Sequence, residues 1–446
     1  MLSRNHAFKR PEQGIRLREA NPMLRTASQN RLLRAAIACL LVCSFVFAAT
    51  GTVSAAEKSK RSRKNFVPSP QVGKKLLKVQ ELAEDEDFQG ALDILVPLSK
   101  KTRLKKFDKA TVNQMLGYML GAKEQYKEAL AAFEVALAVD YLPDSAMQQL
   151  KYNLGQLYLG QENYDRAIQL FEEWLDGAER PDAQAHFMIT IAYAGKEDWA
   201  SGLSHARTSV DLSTTPVENR LRLLLAVEYQ NGNILETLEV LKILVSLFPK
   251  KDYYMQLAFG YSNFGDEEKA LAMLELAYQL DYLDKERELT QLSQRYLYHD
   301  LPWPASKVMA KGLDDGTVET TADNLALYAN TLLHAREYQS AITPLAEAAE
   351  LSLIGDLYVR LAQVHLEIEN WTKARIALQA AIEKGGLRET GTAQLLLGIS
   401  NYNEDRFLSA RTAFLAAAEE EKTEDSATKW LKYVDRALRA EENQGS

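Results

Sequence analysis

Six histidines and two cysteines are the side chains of this 446-residue chain best suited to hold a metal, move a proton or attack a carbonyl. Their spacing supplies none of the arrangements that such chemistry needs. His6, His186, His205, His299, His334 and His365 are scattered. None has a second histidine, or a histidine and a glutamate, at the interval that puts two ligands on one helical face. Cys39 and Cys43 both lie inside one apolar block, so no disulfide framework or thiolate site exists beyond it. Gly73-Lys74-Lys75 lacks the upstream glycine of a phosphate-cradling loop, and no Gly-x-Ser-x-Gly elbow is present. Glu172-Glu173, Glu267-Glu268 and Glu419-Glu420-Glu421 read as solvated helix exteriors. The expectation is a chain with no catalytic, metal or cofactor-binding residues, not an enzyme.

The elements that would have to position any site are repeated. A small residue recurs at Ala91, Ala129, Ala167, Gly202, Thr237, Ala270, Ala305, Ala341, Ala374 and Ala410, at spacings of 38, 38, 35, 35, 33, 35, 36, 33 and 36. That is the period of a helix–turn–helix unit stacked on its neighbours. Around these residues run Leu116-Gly117, Tyr126, Ala129, Phe133, Ala136; Leu154-Gly155, Tyr164, Ala167, Phe171, Trp174; and Leu397-Gly398, Phe407, Ala410, Phe414, Ala417. The three-four-three spacing in each second helix lays these side chains along one buried stripe. The small residue lets the two helices approach. The aromatic three residues earlier is expected to fill the gap between the helices of its own hairpin.

This pattern resembles the tetratricopeptide repeat (TPR) family over roughly Lys74 to Leu438. The resemblance implies an all-α, right-handed superhelical solenoid of about ten helix–turn–helix repeats with a C-terminal capping helix. The cap would be the face formed by Trp430, Tyr433, Val434, Ala437 and Leu438. Pro97 and Pro344 fall inside second helices, where each removes a hydrogen bond and favours a kink. Leu301-Pro302-Trp303-Pro304 and Asp314-Asp315-Gly316 mark a worn seventh repeat and suggest a seam near 284/285.

Charge is divided unevenly. Residues 1–56 carry +6, so the remainder of a chain with net charge −8 carries −14. An acidic array is a poor partner for a phosphate backbone, which excludes nucleic acid. Arg31 and Arg34 precede an uncharged stretch from Ala35 to Ala56 that ends on small residues, the layout of an export signal. Its length also fits an uncleaved anchor, and translation starts at Met1 or Met23. The expected organisation is a signal peptide at 1–56, a basic proline-containing linker at 57–73, repeats one to six at 74–284, repeats seven to ten with the cap at 285–440, and a frayed tail at 441–446.

In the TPR family the first helix of each repeat lines the concave groove. Counting from the packed Gly117, the neighbouring face carries Tyr118 in repeat two, Tyr152 and Gln156 in three, Phe187 in four, Arg222 and Tyr229 in five, and Met255 and Phe259 in six. Rings there supply contact area, and amides can bond an extended backbone. The family's chaperone-docking members place an asparagine directly after the small residue of the first helix. Here that place holds Tyr118, Gln156, Phe259 and Ile399; Asn330 follows Ala329, but without nearby lysine. The whole layout is similar to the exported TPR proteins that accompany TonB–ExbB–ExbD systems of gamma-proteobacteria. The resemblance implies a periplasmic scaffold that binds a protein or peptide partner of the cell envelope. The alternative is an envelope-assembly or polymer-secretion factor.

Overall fold

The computed structural model describes residues 66–178 and 182–444. The expected signal peptide or anchor at 1–56 and linker residues 57–65 lie outside them. Among the described residues there are 21 helices and no strand, and no helix long and apolar enough to cross a membrane.

Twenty helices pair into ten hairpins. Contacts gather them into two bodies, divided between Phe248 and Pro249. The first body holds α1 (Pro70–Glu84) with α2 (Phe88–Ser99), α3 (Lys106–Ala122) with α4 (Tyr126–Val139), and α5 (Asp144–Gly160) with α6 (Tyr164–Gly177). It ends with α7 (Ala183–Gly195) and α8 (Trp199–Asp211), then α9 (Glu218–Gln230) and α10 (Ile234–Leu247). The second body pairs α11 (Lys251–Asn263) with α12 (Glu267–Gln279), α13 (Glu286–Tyr298) with α14 (Pro302–Asp314), and α15 (Ala322–His334) with α16 (Tyr338–Leu351). Then come α17 (Asp356–Glu367) with α18 (Trp371–Lys384), α19 (Thr390–Asn403) with α20 (Phe407–Ala417), and the closing α21 (Glu421–Gln444).

One turn builds every hairpin. A residue in the left-handed conformation ends each first helix: Glu86, Glu124, Glu162, Glu197 and Gly232 in the first body, Gly265, Asp300, Arg336, Glu369 and Asp405 in the second. The next residue's N–H reaches back to the carbonyl five positions earlier at 2.8–3.0 Å, from Asp87 to Leu82 through Arg406 to Asn401. This satisfies carbonyls that a helix end otherwise leaves bare. At Asp87, Asn163, Asp198, Asp266 and Asn370 the same residue's side chain caps the following helix. The recurring small residue stands five positions beyond each left-handed residue, and all ten are buried.

The helices of a hairpin meet through complementary volumes. Gly117 packs against Phe133, Gly155 against Phe171 and Gly398 against Phe414, so closely that a Cβ on the glycine would stand 2.5 to 2.8 Å from the ring. At the equivalent positions Ala258, Ala329 and Ala362 precede Leu274, Leu345 and Leu378 by the same interval, and all six are buried. The smaller residue on one helix matches the larger on the other, as close packing demands.

Four expectations need correction. Residues 66–73 are not linker: α1 begins at Pro70, the Phe66 ring lies 5.8 Å from that of Phe107 and 6.0 Å from that of Tyr141, and Ser69 donates twice to buried Asp108 at 2.8 and 2.7 Å. The division at Phe248/Pro249 falls one hairpin before the seam expected at 284/285, where ion pairs Lys251–Glu288 (2.7 Å) and Arg295–Glu267 (2.8 Å) span the position. Tyr164 packs beyond its own hairpin, on Gly195 of the next. Helix α21 runs to Gln444, past the point of expected fraying. Its Trp430 stacks on Phe414 with centroids 5.5 Å apart, and Val434 is fully buried, covering the last hairpin. Helices α2 and α16 run through Pro97 and Pro344.

Candidate functional site

First helices lie together and second helices lie apart. Within the first body α1 touches α3, α5 touches α7 and α7 touches α9; within the second, α13 touches α15 and α17 touches α19. A side-chain hydrogen bond from Arg360 to Asn330 joins α17 to α15. Successive second helices make no comparable contact. The first helices therefore line the inner face of each body, and the side chains expected to form a binding track must be judged there.

Three of those side chains are held by their neighbours. The Tyr118 hydroxyl accepts from Asn153 Nδ2 at 3.1 Å, and Asn153 in turn accepts from Gln149 at 2.9 Å, tying α3 to α5. The Tyr118 ring stands edge-on to Phe133 at 5.1 Å. Burial raises its phenol above the usual tyrosine value, against hydrogen bonds with Gln114 and Asn153 that lower it. Tyr152 is packed 5.6 Å from Phe171 and 5.3 Å from Trp174. Its phenol is pushed up to about 12 by burial and then by the charge of Asp182, with Arg220 opposing. Gln156, expected on the open face, is only 3% exposed. These residues brace the inner face rather than offer it.

The others remain available. Phe187 on α7 and Arg222 on α9 are half-buried, and Tyr229 at the end of α9 is 50% exposed. In the second body Met255 is half-buried and Phe259 is 60% exposed on α11. Arg220 donates to Gln184 at 3.1 Å and to Ser213 at 2.6 Å, adding an amide and a cation to the α7–α9 surface. Such a surface can cover apolar side chains and hydrogen-bond a backbone.

Two further features come from residues far apart in sequence. Arg360 on α17 donates to Asn330 on α15 at 2.9 Å and has no ion pair among the described residues. Burial and the nearby Arg388 both disfavour its charge, so an anionic group beside Asn330 would relieve it. No lysine near Asn330 in sequence could have signalled this cation. His186 on α7 and His205 on α8 meet with their Nδ1 atoms 2.9 Å apart. Among the described residues, no three or more His, Cys, Asp or Glu side chains group to hold a metal. His365 is 4% exposed inside its hairpin, and burial, then the charge of Lys373, pulls its pKa below the usual histidine value.

Comparison with known proteins gives the hairpins a family. Residues 115–185 and 359–426 match the tetratricopeptide repeat model. No curated protein matches the sequence significantly. Similar solved structures include YrrB, described as a TPR protein with an unusual peptide-binding site (21% identity, 38% of this chain and 85% of that one, TM-score 0.33). A tetratricopeptide repeat protein from Parabacteroides merdae is 15% identical over 67% of this chain and 100% of its own, with a TM-score of 0.34. The Naa15/Naa10 assembly bound to HypK-THB is 16% identical over 83% of this chain and 67% of its own, with a TM-score of 0.40. Tetratricopeptide repeats hold protein or peptide partners. Ten hairpins share one turn, and two stretches of them, residues 115–185 and 359–426, match the tetratricopeptide repeat model, so the chain has a tetratricopeptide-repeat fold.

Proposed function

We propose that the chain is an exported scaffold that holds an extended segment of an envelope protein on the inner face of its first helices. The observation that carries this reading is the exposure of Tyr229, with half-buried Phe187, on first helices of the first body, and of Phe259 on a first helix of the second. Large, stiff rings are the side chains that give binding energy at small entropic cost. The amides and Arg220 beside them suit a peptide backbone. A basic leader followed by the apolar stretch from Ala35 to Ala56 supports export to the periplasm. Leader, apolar stretch and acidic array in that order support an accessory role in TonB-type uptake.

A photo-crosslinking residue at position 187 or 229 tests the face. It should trap one discrete envelope protein in intact cells, while the same probe at Val135, exposed on second helix α4, should not. Equal products from both faces, or none, would reject the inner face as the binding surface. Growth on chelated iron after gene deletion separates the roles. Loss supports uptake, whereas normal growth with a polysaccharide defect turns the reading to polymer export.

A further inference from the structure

Hairpin four contains two imidazoles that its fold does not require. His186 and His205 face each other from α7 and α8, with ring centroids 5.1 Å apart and Nδ1 atoms 2.9 Å apart. Aligned on their left-handed turn residues, the other hairpins place an apolar side chain where His205 stands, among them Ala132, Leu170, Val240, Val308, Ala377 and Ala413. None places a histidine where His186 stands. At this pair of places every other hairpin thus closes with at least one apolar side chain. Half-burying two imidazoles there needs a reason beyond packing.

We propose that His186 and His205 together bind a divalent metal ion of the zinc, nickel and copper group. Imidazole nitrogen suits those ions better than it suits calcium or magnesium. Burial lowers the pKa of both rings; for His205 the neighbouring His186 adds to this, while for His186 the charge of Asp182 opposes it. Both are therefore neutral near pH 7, the state in which the ring nitrogen is a ligand. Metal–nitrogen bonds of about 2.0–2.1 Å at a tetrahedral angle set two nitrogens about 3.3–3.4 Å apart. The rings need open by only about half an ångström, within reach of small rotations about their side-chain bonds. The two ligands come from different helices, so the ion would clasp the hairpin at the end away from its turn. Asp182 is occupied in capping α7 through Gln184 N at 2.9 Å, and among the described residues no third His, Cys, Asp or Glu joins the pair. The remaining coordination positions fall to water or to a side chain brought by a partner, the open form that a binding site needs.

Cobalt(II) titrated into the full chain tests the site. The expected result is visible d–d absorption saturating at one equivalent, and a rise in thermal midpoint with zinc(II). His205→Ala installs the residue found at this place in three other hairpins, so the variant should fold, as circular dichroism will show. It should lose the cobalt band and bind zinc at least tenfold more weakly in competition with a chelating dye; His186→Ala should do the same. An unchanged band in both variants, or no band in the wild-type chain, would overturn the proposal and leave the pair as a hydrogen bond between neutral rings.

Discussion

Adding a single methyl group at Gly117 tests whether the hairpins are held by matched volumes. A Cβ there would lie 2.5 Å from both Cδ1 and Cε1 of Phe133, a ring with no exposed surface. Overpacking of this kind costs about 1–3 kcal/mol, and the better helix propensity of alanine returns about 1 kcal/mol. Gly117→Ala should therefore destabilise the protein by about 1 kcal/mol. Phe133→Leu alone opens a void and should cost about 1–2 kcal/mol. Together they recreate the pairing of Ala258 with Leu274, Ala329 with Leu345 and Ala362 with Leu378, which already closes three other hairpins. The double variant should then be no worse than Phe133→Leu, giving a coupling of at least 1 kcal/mol, well beyond the roughly 0.5 kcal/mol scatter of independent sites. Urea unfolding of the four proteins, followed by circular dichroism, measures the cycle. Costs that simply add would refute the matched-volume account of the helix pair.

Two other predictions concern the turns and the buried rings. Glu162 holds the left-handed conformation at φ 62°, which costs a side-chain-bearing residue about 1–2 kcal/mol, while glycine loses roughly 0.5–1 kcal/mol of unfolded-state freedom. Glu162→Gly should raise the thermal midpoint by the difference; a lower midpoint contradicts the turn assignment. His186, His205 and His365 all have pKa values drawn below 6.5, chiefly by burial, so the unfolded chain takes up protons that the folded chain refuses. Stability, measured in the presence of chelator, should be level above about pH 6.5 and fall as pH drops through that value towards the folded pKa values. The combined substitutions His186→Leu, His205→Ala and His365→Tyr should flatten the slope, and a slope that persists would assign it to other groups.

The hairpin count was legible because its determinants are local. The small residue recurs five positions beyond a left-handed turn residue in all ten hairpins, with a capping side chain between them in five, and each acts within one turn of chain. What escaped depends on which helices become neighbours. Gln156 looks like a groove residue by its register, yet the packing of whole helices leaves it buried. Arg360 and Asn330 are 30 positions apart, and His186 and His205 are 19 apart, intervals that carry no helical periodicity. Residues 66–73 read as linker because of the lysines and prolines around them. A single ring, Phe66, between Phe107 and Tyr141 and two bonds from Ser69 to Asp108 were enough to attach them. The body division at Phe248/Pro249 follows from contacts between whole helices, which prolines at 302 and 304 cannot report.

The identical turn in all ten hairpins bears on how such a chain grows. A duplicated stretch of gene that begins and ends at equivalent left-handed residues inserts one second helix and one first helix, with the turn and the small residue already in place. Neither flank has to be redesigned, since each hairpin leans only on the ones beside it. The inner face lengthens by one first helix, and its side chains are then free to diverge without disturbing the stack.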